Sequence, residues 1–369
     1  MAIRGVWITS TDSQVLHSRQ NIAEAMAFLA QTGFNVVFPD VWNKGFTLYP
    51  SQIMRSLFDI EINPQYQDRD PLAEIIVEAR RVGIKVIPWF EYGFASSYNA
   101  NGGTILAKKP EWVARDINGN LLKKNGFEWM NALDPQVQEF MLSLVLEVVQ
   151  NYDIDGIQGD DRLPALPCEG GYDSNTVERY RQTFNCHPPQ NPKERQWLQW
   201  RADILTNFLA RLYQEVKAIN PNLIVSMSPN IYDWGLKEYL QDSQAWLERG
   251  LVDIIHPQIY RRDFASYKQV VDRVTQQFNR EQLAKLSPGI LIKLGSYRIN
   301  AEHLRQAIAY NRSCGIQGEV FFFYEGLRED NDALGKVLRS LPYTDYSTQP
   351  ASDLNRGIQG LLRFLRNRF

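Results

Sequence analysis

The sequence predicts an α/β protein of the (β/α)8, or TIM-barrel, class, with long loops after its third and fourth strands. Three observations carry that expectation. Eight short apolar runs alternate with amphipathic stretches along the chain. Glycine recurs where a helix hands over to a strand, in Gln31-Thr32-Gly33-Phe34, Arg81-Val82-Gly83-Ile84 and Ser313-Cys314-Gly315-Ile316. There it can adopt the left-handed conformation that releases the last helical carbonyls. Finally, no glycine-rich phosphate loop follows the first strand, which disfavours the alternative of an open, doubly wound sheet.

The predicted strands are Ile3–Thr9, Asn35–Val41, Lys85–Tyr92, Gly156–Asp160, Leu223–Pro229, Asp253–Tyr260, Leu286–Lys293 and Glu319–Tyr324. Amphipathic helices are expected over Arg19–Thr32, Pro71–Val82, Pro135–Asn151, Glu194–Asn220, Tyr239–Arg249, Ala265–Asn279 and Ala301–Cys314. The connection Phe94–Asp134 exceeds an ordinary strand-to-helix loop, and its Asn118-Gly119 pair signals a hairpin between Trp112–Ile117 and Leu121–Lys123. A second long connection, Arg162–Gln190, is rich in Pro and Gly. Both fall on the C-terminal side of the strands, where insertions build pockets. The barrel is assigned to residues 1–342, and 343–369 to a polar linker with a short basic helical tail.

Bulk properties narrow the function. At 44% hydrophobic residues the chain can form a large core. Forty basic against 42 acidic residues leave a net charge of −2, which gives no reason to expect nucleic acid or an anionic membrane. No apolar run is long enough to span a bilayer. Three cysteines without CxxC spacing point to neither a disulfide framework nor a zinc site. The four histidines form no His-x-His, so no metal or other cofactor is expected. The first strand begins at Ile3 with no apolar leader before it, the pattern of a cytoplasmic chain. Nothing in the sequence addresses oligomeric state.

Chemistry in such barrels collects at the C-terminal strand ends. Five acids fall there: Asp40, Glu91, Asp160, Asp161 and Glu325. Asp160 shares the side-chain parity of Gln158 and is expected to face the barrel mouth, with Asp161 as orienter or second acid. Cleaving a glycosidic bond takes one proton donor and one group that activates water or stabilises a positive sugar ring. Asp160 is expected as the donor, with Glu325 or Glu91 as the second carboxylate; otherwise an acetamido group on the substrate serves as nucleophile. For any single acid, capping a loop or pairing with Arg162, Arg261 or Lys293 is an equally good explanation.

Aromatic residues crowd the same positions. Trp7, Trp42, Trp89, Tyr92, Tyr232, Trp234, Tyr260 and Tyr324 lie late in strands or just after them, and Trp112 and Trp129 lie in the third loop. Their rings suit the C–H faces of sugars, and Asn131, Asn230, Gln258, Arg162 and Arg261 suit the hydroxyls. Core packing is the stronger reading of each ring alone; the recurrence favours a carbohydrate. His256 reads equally as a polar ligand contact or a core histidine.

The segments Arg4-Gly5-Val6-Trp7-Ile8-Thr9, Phe34-Asn35-Val36-Val37, Pro88-Trp89-Phe90, Asp155-Gly156-Ile157 with Asp160-Asp161, Pro257-Gln258-Ile259-Tyr260 and Gly318-Glu319-Val320-Phe321-Phe322 together resemble the glycoside hydrolase family 10-like proteins. The resemblance covers about residues 3–327. It implies a TIM barrel with a carbohydrate-hydrolysing site, and a location at the bacterial cell envelope. Family members commonly have Asp-Asp-Tyr where this chain has Asp160-Asp161-Arg162, and often an Asn where it has Glu91. The paired glutamates of true family 10 xylanases are absent: the seventh strand, Gly289–Lys293, carries no acid. Two other readings stay open: a carbohydrate-binding barrel without catalysis, and a lyase or aldolase using Lys293 as a Schiff base.

Overall fold

A computed structural model describes residues 2–341, so the expected linker and tail at 343–369 lie outside the described residues. Eight parallel strands close into a ring. They are β1 (Arg4–Ile8), β2 (Val36–Pro39), β3 (Lys85–Val86 continued by Trp89–Phe90), β4 (Gly156–Gly159), β5 (Ile224–Met227), β6 (Ile254–Ile255 continued by Gln258–Ile259), β7 (Gly289–Leu291) and β8 (Glu319–Phe322). Each pairs with its sequence neighbour, and β8 returns to β1 with Arg4 opposite Glu319. The expected barrel is therefore the observed one.

β3 and β6 were each expected as one strand but are split at Pro88 and Pro257. A proline has no N–H to give the ladder. Its carbonyl still serves: Pro88 O accepts from Gln158 N at 2.8 Å, and Pro257 O from Gly289 N at 3.0 Å. Gly156 lies so close to β5 that a Cβ there would run into the Ile224 carbonyl oxygen, which explains a glycine inside this strand.

Helices follow the strands as α1 (Arg19–Gln31), α2 (Pro71–Arg81), α3 (Pro135–Asn151), α4 (Arg195–Ile219), α5 (Ser243–Glu248), α6 (Phe264–Thr275), α7 (Ala301–Ser313) and α8 (Glu325–Ser340). The last is interrupted by non-helical backbone at Glu329–Asp332. Ser18, Asp70, Asp134, Glu194, Asp242, Asp263 and Asn300 cap α1 to α7 by accepting a first-turn backbone N–H. Gly33, Gly83 and Gly315 take positive φ at the helix-to-strand turns, as expected. The helix expected over Tyr239–Arg249 is instead a short helix, Trp234–Tyr239, and then α5, separated by Leu240 in the left-handed region.

Two apolar layers result. Trp7, Phe38, Ile87, Trp89, Val320 and Phe323 fill the barrel interior, while a larger core joins the outer strand faces to the helices. In the third loop, Asn118-Gly119 makes a turn closed by a single Arg115–Leu121 pairing. The longer hairpin, Lys123–Lys124 with Phe127–Trp129, turns instead on Asn125-Gly126, both at positive φ. Among the described residues no helix is long and apolar enough to cross a membrane.

Candidate active site

The C-terminal ends of β3 and β4 bring three of the five expected acids together around one guanidinium, and the end of β2 sets a fourth, Asp40, beside Glu91. Arg162 Nη2 donates to Asp160 Oδ2 at 2.8 Å and lies 3.6 Å from Glu91 Oε1, while Nη1 lies 2.8 Å from Asp161 Oδ1. Its Nε donates to the Glu91 carbonyl at 2.9 Å. The flat face of the same cation lies 4.6 Å from the Phe127 ring centroid and 5.5 Å from that of Tyr92. The Asn125-Gly126 hairpin is what carries Phe127 to this position.

Asp160 faces inward as its parity with Gln158 predicts. Gln158 accepts from Trp7 Nε1 at 2.6 Å inside the barrel, and Gln258 Nε2, from β6, donates to Asp160 Oδ1 at 2.7 Å. Both Asp160 oxygens thus face donors, and the side chain is 3% exposed. Glu91 and Asp161 form the open edge of the cluster, at 16% and 22%. On the other side of Glu91, one amide nitrogen, Asn43 Nδ2, reaches Glu91 Oε2 at 2.8 Å and Asp40 Oδ2 at 2.9 Å. Asp40 also accepts from Ser10 Oγ at 2.5 Å and from the Trp42 amide at 3.2 Å.

Crowding so many acids under little water changes their proton affinity. Burial, then the neighbouring charge of Asp161, pushes the Asp160 carboxyl well above the usual range, against the pull of Arg162. Burial and then Asp40 push Glu91 well above it too, again opposed by Arg162. Burial raises the Tyr260 phenol, with Asp160 adding to it; the Tyr260 ring stacks on Phe322 at 5.1 Å.

Other expected site residues lie elsewhere. Glu325 accepts from Gln14 N at 3.3 Å and sits near Ser13 and Lys293, on the β1 and β7 side of the mouth, with no described contact to Asp160. Trp7, Trp42, Trp89 and Trp129 are at most 2% exposed, so their rings pack in the interior. Trp42 lies against Phe140 of α3, and Trp129 against Tyr239. Tyr324 packs on Phe28 of α1, and its hydroxyl accepts from Arg328. Asn131 ties down its own loop through Leu133 N and Asp173, and the Asn230 amide is held by Gln241. His256 is fully buried between Trp7 and Phe38 with Nδ1 2.7 Å from the Ser287 carbonyl; burial lowers its pKa to about 4, so the ring is neutral. Lys293 lies 2.9 Å from Glu329 in an ion pair.

Ser10, Asn43 and Phe127 are the site residues that sequence reasoning missed. Asn43 rides on a hairpin, Trp42–Asn43 with Phe46–Thr47, whose Lys44-Gly45 turn was a usable signal. Among the described residues, Cys168, Glu169 and Glu238 are near enough to share a metal ion, yet Lys124 donates to both glutamates at 3.0 and 2.8 Å and Lys193 pairs with Glu238. A cavity of about 640 Å³, lined by Asp59, Glu61, Asp68, Arg69 and Asp70 among others, includes none of the clustered acids.

The chain matches the model of the family described as glycosyl hydrolase-like 10 over residues 2–311. It is 27% identical over 297 residues to glycosyl hydrolase DigH of Escherichia coli K12, covering 70% of this chain and 62% of that protein. Glycosyl hydrolase YngK of Bacillus subtilis 168 is 23% identical over 393 residues, covering 92% of this chain and 72% of that protein. In shape the chain is similar to the PgaB (BpsB) glycoside hydrolase domain from Bordetella bronchiseptica: TM-score 0.70, 13% identity, 93% of this chain and 100% of that one. It is also similar to alpha-L-fucosidase isoenzyme 2 from Paenibacillus thiaminolyticus: TM-score 0.67, 18% identity, 92% and 48%.

Proposed function

Because the chain belongs to the glycosyl hydrolase-like 10 family, we propose that it hydrolyses the glycosidic bonds of a polysaccharide or oligosaccharide at the Asp160–Glu91 cluster. The supporting observation is the unlike surroundings of those two acids. Burial and a neighbouring acid raise both carboxyls, but Asp160 receives a donor on each oxygen, one of them the Arg162 guanidinium at 2.8 Å, which suits the ionised member. Glu91 meets that cation only at 3.6 Å and has the Asp40 carboxyl beside it, which suits the carboxylic acid. Asp160 was expected to donate the proton. These surroundings favour the exchange: Glu91 protonates the leaving oxygen, and Asp160 faces the anomeric carbon.

Both acids touch the same nitrogen, Arg162 Nη2, at 2.8 and 3.6 Å, so their nearest oxygens are no further apart than those distances added. That bound accommodates the about 5–5.5 Å carboxyl separation of retaining enzymes. We therefore assign Asp160 as nucleophile in a retaining reaction. For a sugar to reach it, Arg162 withdraws toward Asp161 and the Phe127 face it already contacts. The oxocarbenium-like charge of the transition state then replaces the guanidinium among carboxylates already in place.

Trp234 is the ring we place against a more distant sugar. It is 50% exposed, packs 5.5 Å from Tyr239, and opens the short helix Trp234–Tyr239, after which Gln241 Nε2 donates to the Asp160 carbonyl at 3.1 Å. Trp234→Ala is expected to raise KM for a long oligosaccharide about 3–10-fold, matching the ~0.5–1.5 kcal/mol of an aromatic contact. Activity on a short aryl glycoside should stay unchanged; equal loss on both substrates contradicts this placement.

A broad panel of glycans offered to the wild-type protein tests the activity, and release of reducing ends from at least one is the expected result. The second reading, a barrel that binds carbohydrate without cleaving it, draws on the hold of Arg162 over Asp160. It predicts binding with no turnover.

A further inference from the structure

We propose that Asp40 is a positioning residue whose ionised carboxylate accepts a hydrogen bond from a protonated Glu91 and so keeps the proton on that acid. The pair stands on its own geometry; only the description of Glu91 as the acid of a hydrolase rests on the function proposed above.

Asp40 is too enclosed to meet a substrate. It is 1% exposed at the end of β2, bridged to Trp89 of β3, which brings it alongside Glu91. Its oxygens accept three hydrogen bonds, from Ser10 Oγ, Asn43 Nδ2 and the Trp42 amide. Among the described residues no basic side chain pairs with it. Glu91 has one neutral donor, the same Asn43 amide, and a guanidinium nitrogen at the longer distance of 3.6 Å. Two carboxyls bridged by one amide, one buried and the other largely enclosed, cannot both be ionised at low cost, so one proton is shared between them. The acid with three donors is the better anion, and the proton falls to Glu91. Burial raises both groups, and the hydrogen bond between them lowers Asp40 while raising Glu91.

The other charged and titratable groups facing the pair are few. From β4, Asp160 and Asp161 raise the proton affinity of the Glu91 region and Arg162 lowers it. Tyr92 adjoins Glu91, and Tyr66 faces Asp40 with its phenol pushed up to about 12 by burial, so both stay neutral. Asp40 is thus the ionised neighbour that contributes most to holding the proton on Glu91.

The test is a carboxyl ¹³C NMR titration of protein labelled at glutamate Cδ, with Glu91→Gln assigning the signal. In the wild type, Glu91 should still be protonated at pH 7. Asp40→Asn should move its midpoint at least about one pH unit lower, and Asp40→Glu should bring it back. Turnover should follow, with the alkaline limb of kcat/KM displaced downward by the same interval. A Glu91 ionised at pH 7 in the wild type, or a midpoint that ignores Asp40→Asn, overturns the pair. If Asp40→Asn does not fold, the wild-type titration alone decides. No substrate enters this measurement, so an inactive protein with a protonated Glu91 would sink the hydrolase reading and leave the pair intact.

Discussion

Asp160→Asn is expected to lower kcat at least about 10³-fold on any glycan the wild type cleaves, some 4 kcal/mol of barrier at ~1.36 kcal/mol per decade. Asparagine keeps the shape of the side chain and can still accept from Gln258 Nε2, but it carries no negative charge for the anomeric centre. Its amide also turns a donor toward Arg162 Nη2, where the wild type offers an acceptor at 2.8 Å. The guanidinium keeps Asp161 and Glu91 as partners, so the fold should survive and the melting temperature should move by only a few degrees. Steady-state rates and a thermal melt of both proteins check this. A rate within threefold of the wild type removes Asp160 from the reaction.

Glu91→Gln should cost about 10²–10⁴-fold, the usual worth of a positioned general acid. Two further signatures separate a lost acid from a damaged site. The deficit should shrink on aryl glycosides whose leaving group departs without a proton, because only poor leaving groups need one. The pH profile should also change in a defined sense. Glu91 has a raised pKa, so its protonated, active form prevails below that value and is lost as pH rises through it. Wild-type kcat/KM should therefore fall on the alkaline side, and Glu91→Gln should lack that limb. An equal loss on all leaving groups, with the limb retained, would assign the proton to another residue.

The barrel was legible because its signals are local. Apolar runs at strand length and the Gly33, Gly83 and Gly315 turns each act within a few residues. The carboxyl cluster was legible for a related reason: closing eight parallel strands brings the ends of β2, β3 and β4 together whatever their side chains. Depth was not legible. Trp7, Trp42, Trp89 and Trp129 sit at strand ends or in a loop, as a ligand platform would, yet each faces inward or toward a helix, because tertiary packing decides which flank of a strand end is covered. Glu325 fell outside the cluster because it opens α8 beside the β1 loop, a relation that spacing along the chain does not encode. Arg162 was read as a partner for some acids, but its place at the centre of three emerges only when the Phe127 hairpin folds under it.

A covalent link between sugar and protein is the most direct measure of the chemistry assigned to this mouth. The wild-type protein, once a cleaved glycan is in hand, would be incubated with the matching 2-deoxy-2-fluoro glycoside, digested, and mapped by mass spectrometry. The expected outcome is one glycosyl adduct on the peptide at Asp160, absent from Asp160→Asn. An adduct on Asp161 or Glu325, or first-formed products of inverted anomeric configuration, would contradict it.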